Sequence, residues 1–356
     1  DAGNTSTVAT QSITLDNTAP SAPVITTPIE TDGIVNAAED DDVLIVGTGA
    51  ENNASVTVTI TDNNSSSVSR TVTADGSGNW TLSGSELDVS GLNNGTLTVS
   101  ATQTDEAGNT STAATQNITL DNAAPTAPSI STPIEIDNIV NASEDDSVLI
   151  SGSGAEANAS LTITVGSVSI QTTADSSGNW TIESNEIDIS ALNNGSLTVS
   201  VTQTDDAGNT SSSGTSTITL DNNAPSAPTI STPIETDGIV NAAEDNDILI
   251  VGTGAESDAV LDIVISDGSN TDTAQVTADG SGNWTIAGSE IDVSAFNNGS
   301  LTVSATQTDD AGNTSTVATQ SITLDNTAPS APVITTPIET DGIVNAAEDD
   351  DVLIVG

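Results

Sequence analysis

Residues 1–47 recur, identically, at 310–356. A chain that copies itself at a fixed interval is an array of one small unit, and this limits the fold more than any motif does. The interval subdivides. Three tryptophans stand in the same phrase, "SGNWT", at Trp80, Trp180 and Trp284. "AGNTS" begins at Ala2, Ala107, Ala207 and Ala311, and "APSAP" or "APTAP" at Ala19, Ala124, Ala224 and Ala328. These phrases define whole repeats at 18–122, 123–222 and 223–326. A C-terminal piece of a preceding repeat occupies 1–17, and an N-terminal piece of a following one occupies 327–356. Neither piece reads as a natural terminus, so the chain is expected to be a window on a longer array.

Each repeat has the size of one small all-β domain. Val, Ile and Thr alternate with polar residues in short runs such as "SVTVTI" (Ser55 to Ile60) and "NITL" (Asn117 to Leu120), the pattern of half-buried strands. In the first repeat the expected strands are A near Val24–Thr27, B Val43–Val46, C Ser55–Ile60, D near Ser69–Thr73, E Trp80–Leu82, F Thr96–Thr102 and G Thr115–Leu120. Gly, Asn and Asp clusters separate them as turns. The expected fold is all-β: tandem immunoglobulin-like β-sandwiches of about seven strands each, arranged as an elongated rod. A solenoid is the alternative, but its repeats are usually shorter. Trp80 alternates with Thr81 so that Trp80 and Leu82 share one face of strand E, and the tryptophans are expected in the core.

Charge is the second constraint. The chain holds 51 acids, a single base (Arg70) and no His, for a net charge of -50. High charge alone can mean disorder, but 34% hydrophobic residues in ordered, alternating runs argue against it. Nucleic acid is excluded as a partner, because phosphate binding needs Lys and Arg. No apolar run reaches the length of a membrane span, so no membrane insertion is expected in this segment. The absence of Cys removes disulfides and thiolate metal sites.

In order along the chain stand "DGIVNAAEDDDVLIVGTGAENNASVTVTI", "TADGSGNWTL", "LNNGTLTVSATQTDEAGNTS" and "ITLDNAAP". Together these phrases resemble the bacterial Ig-like repeats of giant calcium-dependent surface adhesins and biofilm-associated proteins, including adhesins with RTX-type export. The resemblance covers the whole chain. It departs from antibody-type Ig domains in lacking a Cys pair and in placing its Trp on strand E. It implies an extracellular, cell-surface stalk that binds calcium.

The residues lead to calcium independently. In a seven-strand sandwich the A–B and E–F loops and the exit of G gather at one end, and the B–C, D–E and F–G loops at the other. The acids fall into two matching sets. Asp32, Asn36 and Glu39 in the A–B loop return as Asp137, Asn141, Glu144 and as Asp237, Asn241, Glu244; Asp16, Asp121, Asp221 and Asp325 stand at the exits of G. Glu51, Glu156 and Glu256 lie in B–C loops, and Asp105 with Glu106, Asp205 with Asp206 and Asp309 with Asp310 in F–G loops. The sets are expected to face each other across Pro-rich linkers such as "DNAAPTAP". Crowded carboxylates repel, and an all-oxygen donor set without His or Cys suits Ca²⁺, which takes six to eight oxygens. The competing reading is a solvated, salt-adapted acidic surface. A match of Asp75, Ser77, Asn79 and Glu86 to an EF-hand loop reads as coincidence, because the position that must be Gly is Trp80.

These residues bear on three classes of function. The first is a structural extender of a bacterial extracellular adhesin or fibre, stiffened by calcium at domain junctions, serving cell adhesion or biofilm formation, with a self-assembling filament or matrix protein as its alternative. Its partners are the neighbouring repeats, and other copies in a fibre or matrix. An enzyme is not expected, since these acids recur in every repeat whereas an active site is normally singular. A carbohydrate- or ice-binding module comes last, because the few aromatics read as core.

Overall fold

The computed structural model describes residues 2–182, 187–286, 291–335, 342–346, 350, 352 and 354. The chain falls into two compact units, Asp1–Ile139 with Asp145–Leu220, and Val140–Glu144 with Asp221–Gly356.

The first unit holds two β-sandwiches, apart from residues 140–144 of the second, which fall in the other unit. The strands of the first are β1 (Val24–Ile25), β2 (Ile34–Val35), β3 (Val46–Thr48), β4 (Ser55–Thr61), β5 (Ser67–Thr73), β6 (Trp80–Thr81), β7 (Gly95–Thr104) and β8 (Ala114–Leu120). They form a three-stranded sheet in the order β1-β3-β6 and a five-stranded sheet in the order β2-β8-β7-β4-β5. Every pairing is antiparallel except β2 with β8, which is parallel. The second sandwich contains β9 (Ser129–Ile130), β10 (Ile139–Val140), β11 (Ser151–Ser153), β12 (Ser160–Val165), β13 (Val168–Thr173), β14 (Trp180–Thr181), β15 (Gly195–Thr204) and β16 (Gly214–Leu220).

The second unit holds the third sandwich: β17 (Thr229–Ile230), β18 (Ile239–Asn241), β19 (Ile250–Thr253), β20 (Val260–Ser266), β21 (Thr271–Thr277), β22 (Trp284–Ile286), β23 (Gly299–Thr308) and β24 (Ala318–Asp325). Its sheets run β17-β19-β22 and β18-β24-β23-β20-β21.

Alternation explains the packing. Along β7 the buried positions Leu97, Val99, Ala101 and Gln103 alternate with more exposed Thr and Ser, as period-2 pleating requires. Opposing apolar faces close the first core around Val56, Val58, Ile60, Leu97, Val99, Leu120 and Trp80. Trp80, Trp180 and Trp284 are buried, and Leu82 shares the buried face of Trp80. Each indole needs a residue without a side chain on the strand beside it. A Cβ on Gly47 would lie 2.1 Å from the Trp80 ring, and one on Gly252 would lie 2.1 Å from that of Trp284. Glycine in these short strands is therefore a packing requirement.

Two expectations are corrected in detail. Strand B begins later than Val43: β3 covers Val46–Thr48, while Val43 makes only an isolated bridge to Leu87. The stretch read as one A–B loop carries an eighth strand, β2, which adds to the five-stranded sheet beside β8. Gly33 precedes it at φ +86°, a turn that a side chain would strain.

Candidate functional site

The F–G loop of the second sandwich is built on Asp205 and Asn209. Asn209 donates its backbone N–H to Asp205 Oδ1 at 2.8 Å and its side-chain amide to Oδ2 at 3.0 Å. Gly208, at φ +94°, turns the chain between them. Asn209 also reaches the first sandwich. Its Nδ2 donates to the Asp121 carbonyl at 2.8 Å, and its Oδ1 accepts from the Ala37 backbone N–H at 2.9 Å. One buried side chain thus ties the exit of β8 and the segment after β2 to the next sandwich. Within the second unit Asn313 makes the same set, to Asp309, to the Asp221 carbonyl at 2.8 Å and from the Ala142 N–H at 2.8 Å. Asn109 repeats the Asp105 bonds and donates to the Asp16 carbonyl at 3.3 Å. The Asn109 side chain's hydrogen bond holds the Asp105 carboxyl below its usual range.

The acids gather around these clasps. Asp16, Glu51, Asp105 and Glu106 line one open cleft of about 680 Å³, with Asn52 and Asn53. Glu51 is set there by a buried glutamine: Gln103 Oε1 accepts the Glu51 N–H at 2.7 Å, while its Nε2 donates to the Ser21 carbonyl at 2.7 Å. Gln203 does the same for Glu156 and Thr126, and Gln307 for Glu256 and Ser226. Asp121, Glu156, Asp205 and Asp206 occupy the same positions one repeat on within the first unit, and Asp221, Glu256, Asp309 and Asp310 within the second. Of these eight, Asp121, Asp205, Asp221 and Asp309 are half-buried and the other four exposed. Asp325 closes β24, exposed, with its Oδ1 accepting the Thr327 N–H.

The A–B set has a local role. Asp32 Oδ1 accepts the Ile34 N–H at 2.8 Å, Asn36 Oδ1 accepts the Ala38 N–H at 2.8 Å, and Glu39 Oε2 accepts the Asn36 N–H at 3.2 Å. Asp137, Asn141 and Glu144 repeat this, as do Asp237, Asn241 and Glu244. The spacing D-x-x-x-N-x-x-E is thus the spacing of a reciprocally capped turn. Each of these carboxylates keeps a second oxygen outside the bonds that shape the turn.

The donor set at the cleft is all oxygen, as hard-cation binding requires. Among the described residues, no three His, Cys, Asp or Glu side chains converge into a group that could hold a metal ion. Asp16, Glu51, Asp105 and Glu106 are the residues whose carboxylates would hold a calcium ion here, with Asn52 and Asn53 as amide oxygen donors. The EF-hand-like run does not form a cation loop. Asp75 Oδ1 accepts the Ser77 and Asn79 N–H groups, while Glu86 bonds Gly84 elsewhere; Glu186 and Glu290, its counterparts, lie outside the described residues. Asp75 is held below the usual carboxylate range chiefly by the Asn79 N–H.

Neither Asn109, Asn209 and Asn313 nor the buried glutamines were singled out from the sequence. A signal existed for the glutamines: Gln103 stands at the buried parity of an alternating strand, after Leu97, Val99 and Ala101. The asparagines sit in "AGNTS", a phrase that repeats but reads as a turn.

Solved structures similar to this chain include a Ca²⁺-stabilised adhesin with which an Antarctic bacterium reaches out and binds ice, 27% identical over 94% of this chain and 80% of that one, with a TM-score of 0.48. A 1.5-MDa bacterial ice-binding adhesin is 25% identical over 86% of this chain and all of that one, with a TM-score of 0.39. A tetra-tandem repeat in the extending region of a large adhesion protein is 27% identical over 85% of this chain and 74% of that one, with a TM-score of 0.27. No curated protein matches the chain. Residues 26–122, 126–222 and 227–326 each match the bacterial Ig-like domain. The three matches take up most of the sequence, and the chain belongs to the bacterial Ig-like domain family.

Proposed function

We propose that this chain is a structural extender in the stalk of a bacterial extracellular adhesin, in which Ca²⁺ at the junction clefts holds successive sandwiches in line as a rod. One observation carries the reading. Asp16, Glu51, Asp105 and Glu106 line a single cleft next to the Asn109 contact with Asp16. Like charges so placed repel unless a cation lies among them. The family and the sequence resemblance to adhesin repeats agree with a repeated, non-catalytic spacer at the bacterial cell surface. Asp16, Glu51, Asp105 and Glu106, and their counterparts in later repeats, are the proposed ligands, with the second oxygens of Glu39, Glu144 and Glu244 within the same loop ends.

A stalk's reach depends on stiffness. A flexible chain extends only as the square root of its length, whereas a stiff one extends in proportion to it. Small-angle scattering of the chain in calcium and in chelator tests this directly. The maximum dimension should fall when calcium is removed, and fall in calcium for the double variant Asp205→Asn/Asp206→Asn. A double variant as extended as wild type in calcium would show that the asparagine clasp and the Pro-containing linker suffice, and that the F–G acids are a solvated surface.

A further inference from the structure

Each sandwich ends its five-stranded sheet on the D strand: β5, β13 and β21 are all outermost. The three edges carry different charge. β5 holds Arg70, exposed, and β21 holds Asp272, with Asp262 on its partner strand β20. β13 holds neither acid nor base. Residues 157–174, which contain the whole β12–β13 hairpin, form the longest uncharged run in the chain. The hairpin is in register from Val165↔Val168 at its two-residue turn to Ser160↔Thr173, and Gly166 takes φ +57° in that turn. Val168, Ile170 and Thr172 lean toward the core while Ser169, Gln171 and Thr173 are exposed. Half the backbone amide groups of such an outermost strand point away from the sheet, a template for a further strand.

We propose that β13 is a docking edge for β13 of a second copy of this chain, paired antiparallel about a two-fold axis. Charge selects both the edge and the occupant. A chain with 51 acids and one base presents acids almost everywhere to its own copy. A two-fold antiparallel pairing sets residues near the axis against themselves, so β5 would bring Arg70, at its centre, toward Arg70, and β21 would carry an Asp272 from each copy into the pair. Like charges opposite each other destabilise a pair. β13 meets itself through Val, Ser, Ile, Gln and Thr alone, and its β-branched residues suit the added strand. An edge meant to stay solitary is usually blunted by a charge or a proline; β5 and β21 are blunted in this way and β13 is not. The inference needs no metal ion and stands apart from the calcium reading.

Sedimentation equilibrium of the whole chain tests it, at physiological ionic strength, where the Debye length of about 8 Å screens the remaining acids. The experiment is run in calcium and in chelator. Wild type should show a concentration-dependent dimer, and Gln171→Glu should weaken it at least tenfold. Ser69→Glu, the control on β5, should dimerise as wild type does. Circular dichroism confirms that both variants stay folded, since both residues are exposed. Hydrogen exchange should show β13 amides gaining protection as concentration rises. A wild type that stays monomeric in both conditions overturns the proposal. So does a Gln171→Glu variant that dimerises like wild type, or protection that appears on another strand.

Discussion

The F–G loops and the C–D turns lie at different places on each sandwich and follow different rules. The F–G loop is nearly the same object three times: an Asp at its start, an Asn four residues on, and the same hydrogen bonds between them. The C–D turn is three different objects. In the first sandwich Asp62 caps it, accepting from Asn93 Nδ2 at 2.6 Å and from the Asn64 and Ser66 N–H groups. In the second, Gly166 and Ser167 close it with no acid. In the third, Asp267 accepts from Asn270 and Asn297. A C–D turn answers only to its own sandwich and can be solved several ways. Asn209 and Asn313 must also meet carbonyl and amide groups outside their own loop, which leaves one solution.

Neither region is where folding energy is concentrated, and the largest effect should come from between them. Trp80→Ala removes a buried indole packed over Gly47 and should destabilise the first sandwich by about 3–5 kcal/mol. Denaturant unfolding followed by circular dichroism, with hydrogen exchange at β4 and β7 to isolate the first sandwich, measures it. A cost near that of a surface substitution would mean the indole is not a core element.

Asn209→Ala should come next. It leaves the Ala37 N–H and the Asp121 carbonyl without their partner and Asp205 Oδ2 without the side-chain amide, while the backbone N–H groups of residues 207 and 209 still reach Oδ1. An abandoned buried group costs about 1–3 kcal/mol, and water reaches part of this site, so a total of about 2–3 kcal/mol is expected. Hydrogen exchange at the Ala37 amide should accelerate while amides in β4 and β7 stay protected. Equal acceleration in the core strands would show that the clasp belongs to the sandwich and not to the junction.

Asp62→Asn should do less, and locally. The amide nitrogen cannot accept from Asn93, so the C–D tip loosens while the Ala37 amide is unaffected. The Asn93 side chain first, then the backbone N–H groups, hold the Asp62 carboxyl below its usual range, and Asp267 is held low chiefly by the Asn297 N–H. A carboxyl with a lowered folded pKa contributes stability above its unfolded value, about 3.9, and loses that contribution as pH falls through the folded one. The difference between Asp62→Asn and wild type should therefore be full at neutral pH and vanish in acid, which melting curves across pH would follow.

The sequence spelled out most of this fold because its signals were local. Alternation in "SVTVTI" located β4 to within a residue, and the Trp80–Leu82 parity placed the indole inward. β2 was hidden because two residues cannot display a period; its partner β8 lies far along the chain, and only Gly33-Ile34-Val35 hinted at it. The acid-lined end was readable from strand direction, since alternating strands sort loops by end. The clasp was not. Asn209 looks like a turn residue from its neighbours, and its second set of partners, Ala37 and Asp121, lies in another repeat, where no short-range pattern reaches. The A–B motif has a second reason for its fixed spacing, legible only in the structure: the turn that Asn36 and Glu39 close.

The smallest effect should come from Glu30, in the turn before β2, and it sharpens the contrast between loops. Glu30, Glu135 and Glu235 all sit at φ near +50°, a conformation uncommon for a side-chain-bearing residue. Each accepts a backbone N–H from the strand-B region, that of Leu44, Leu149 or Leu249. Burial pushes the Glu30 carboxyl up, the Leu44 N–H pulls it partly back, and Glu39, Asp42 and Asp32 push it up again. Glu235 behaves alike, for the same causes in the same order. A raised folded pKa means that the protonated form suits the fold. Its stabilisation is complete below the unfolded value and is lost as pH rises through the folded one, so at neutral pH the charge on Glu30 weighs against the fold. Glu30→Gln keeps an oxygen for the Leu44 N–H and removes that charge. In chelator at neutral pH the variant should melt about a degree or two above wild type, and the gap should close on acidification as wild-type Glu30 becomes neutral. The same substitution at Asp62 lowers stability at neutral pH, so two carboxylates in loops of one sandwich should move in opposite directions. A Glu30→Gln variant that melts lower at neutral pH would mean that the carboxylate's hydrogen bond to Leu44 outweighs its burial and its acidic neighbours.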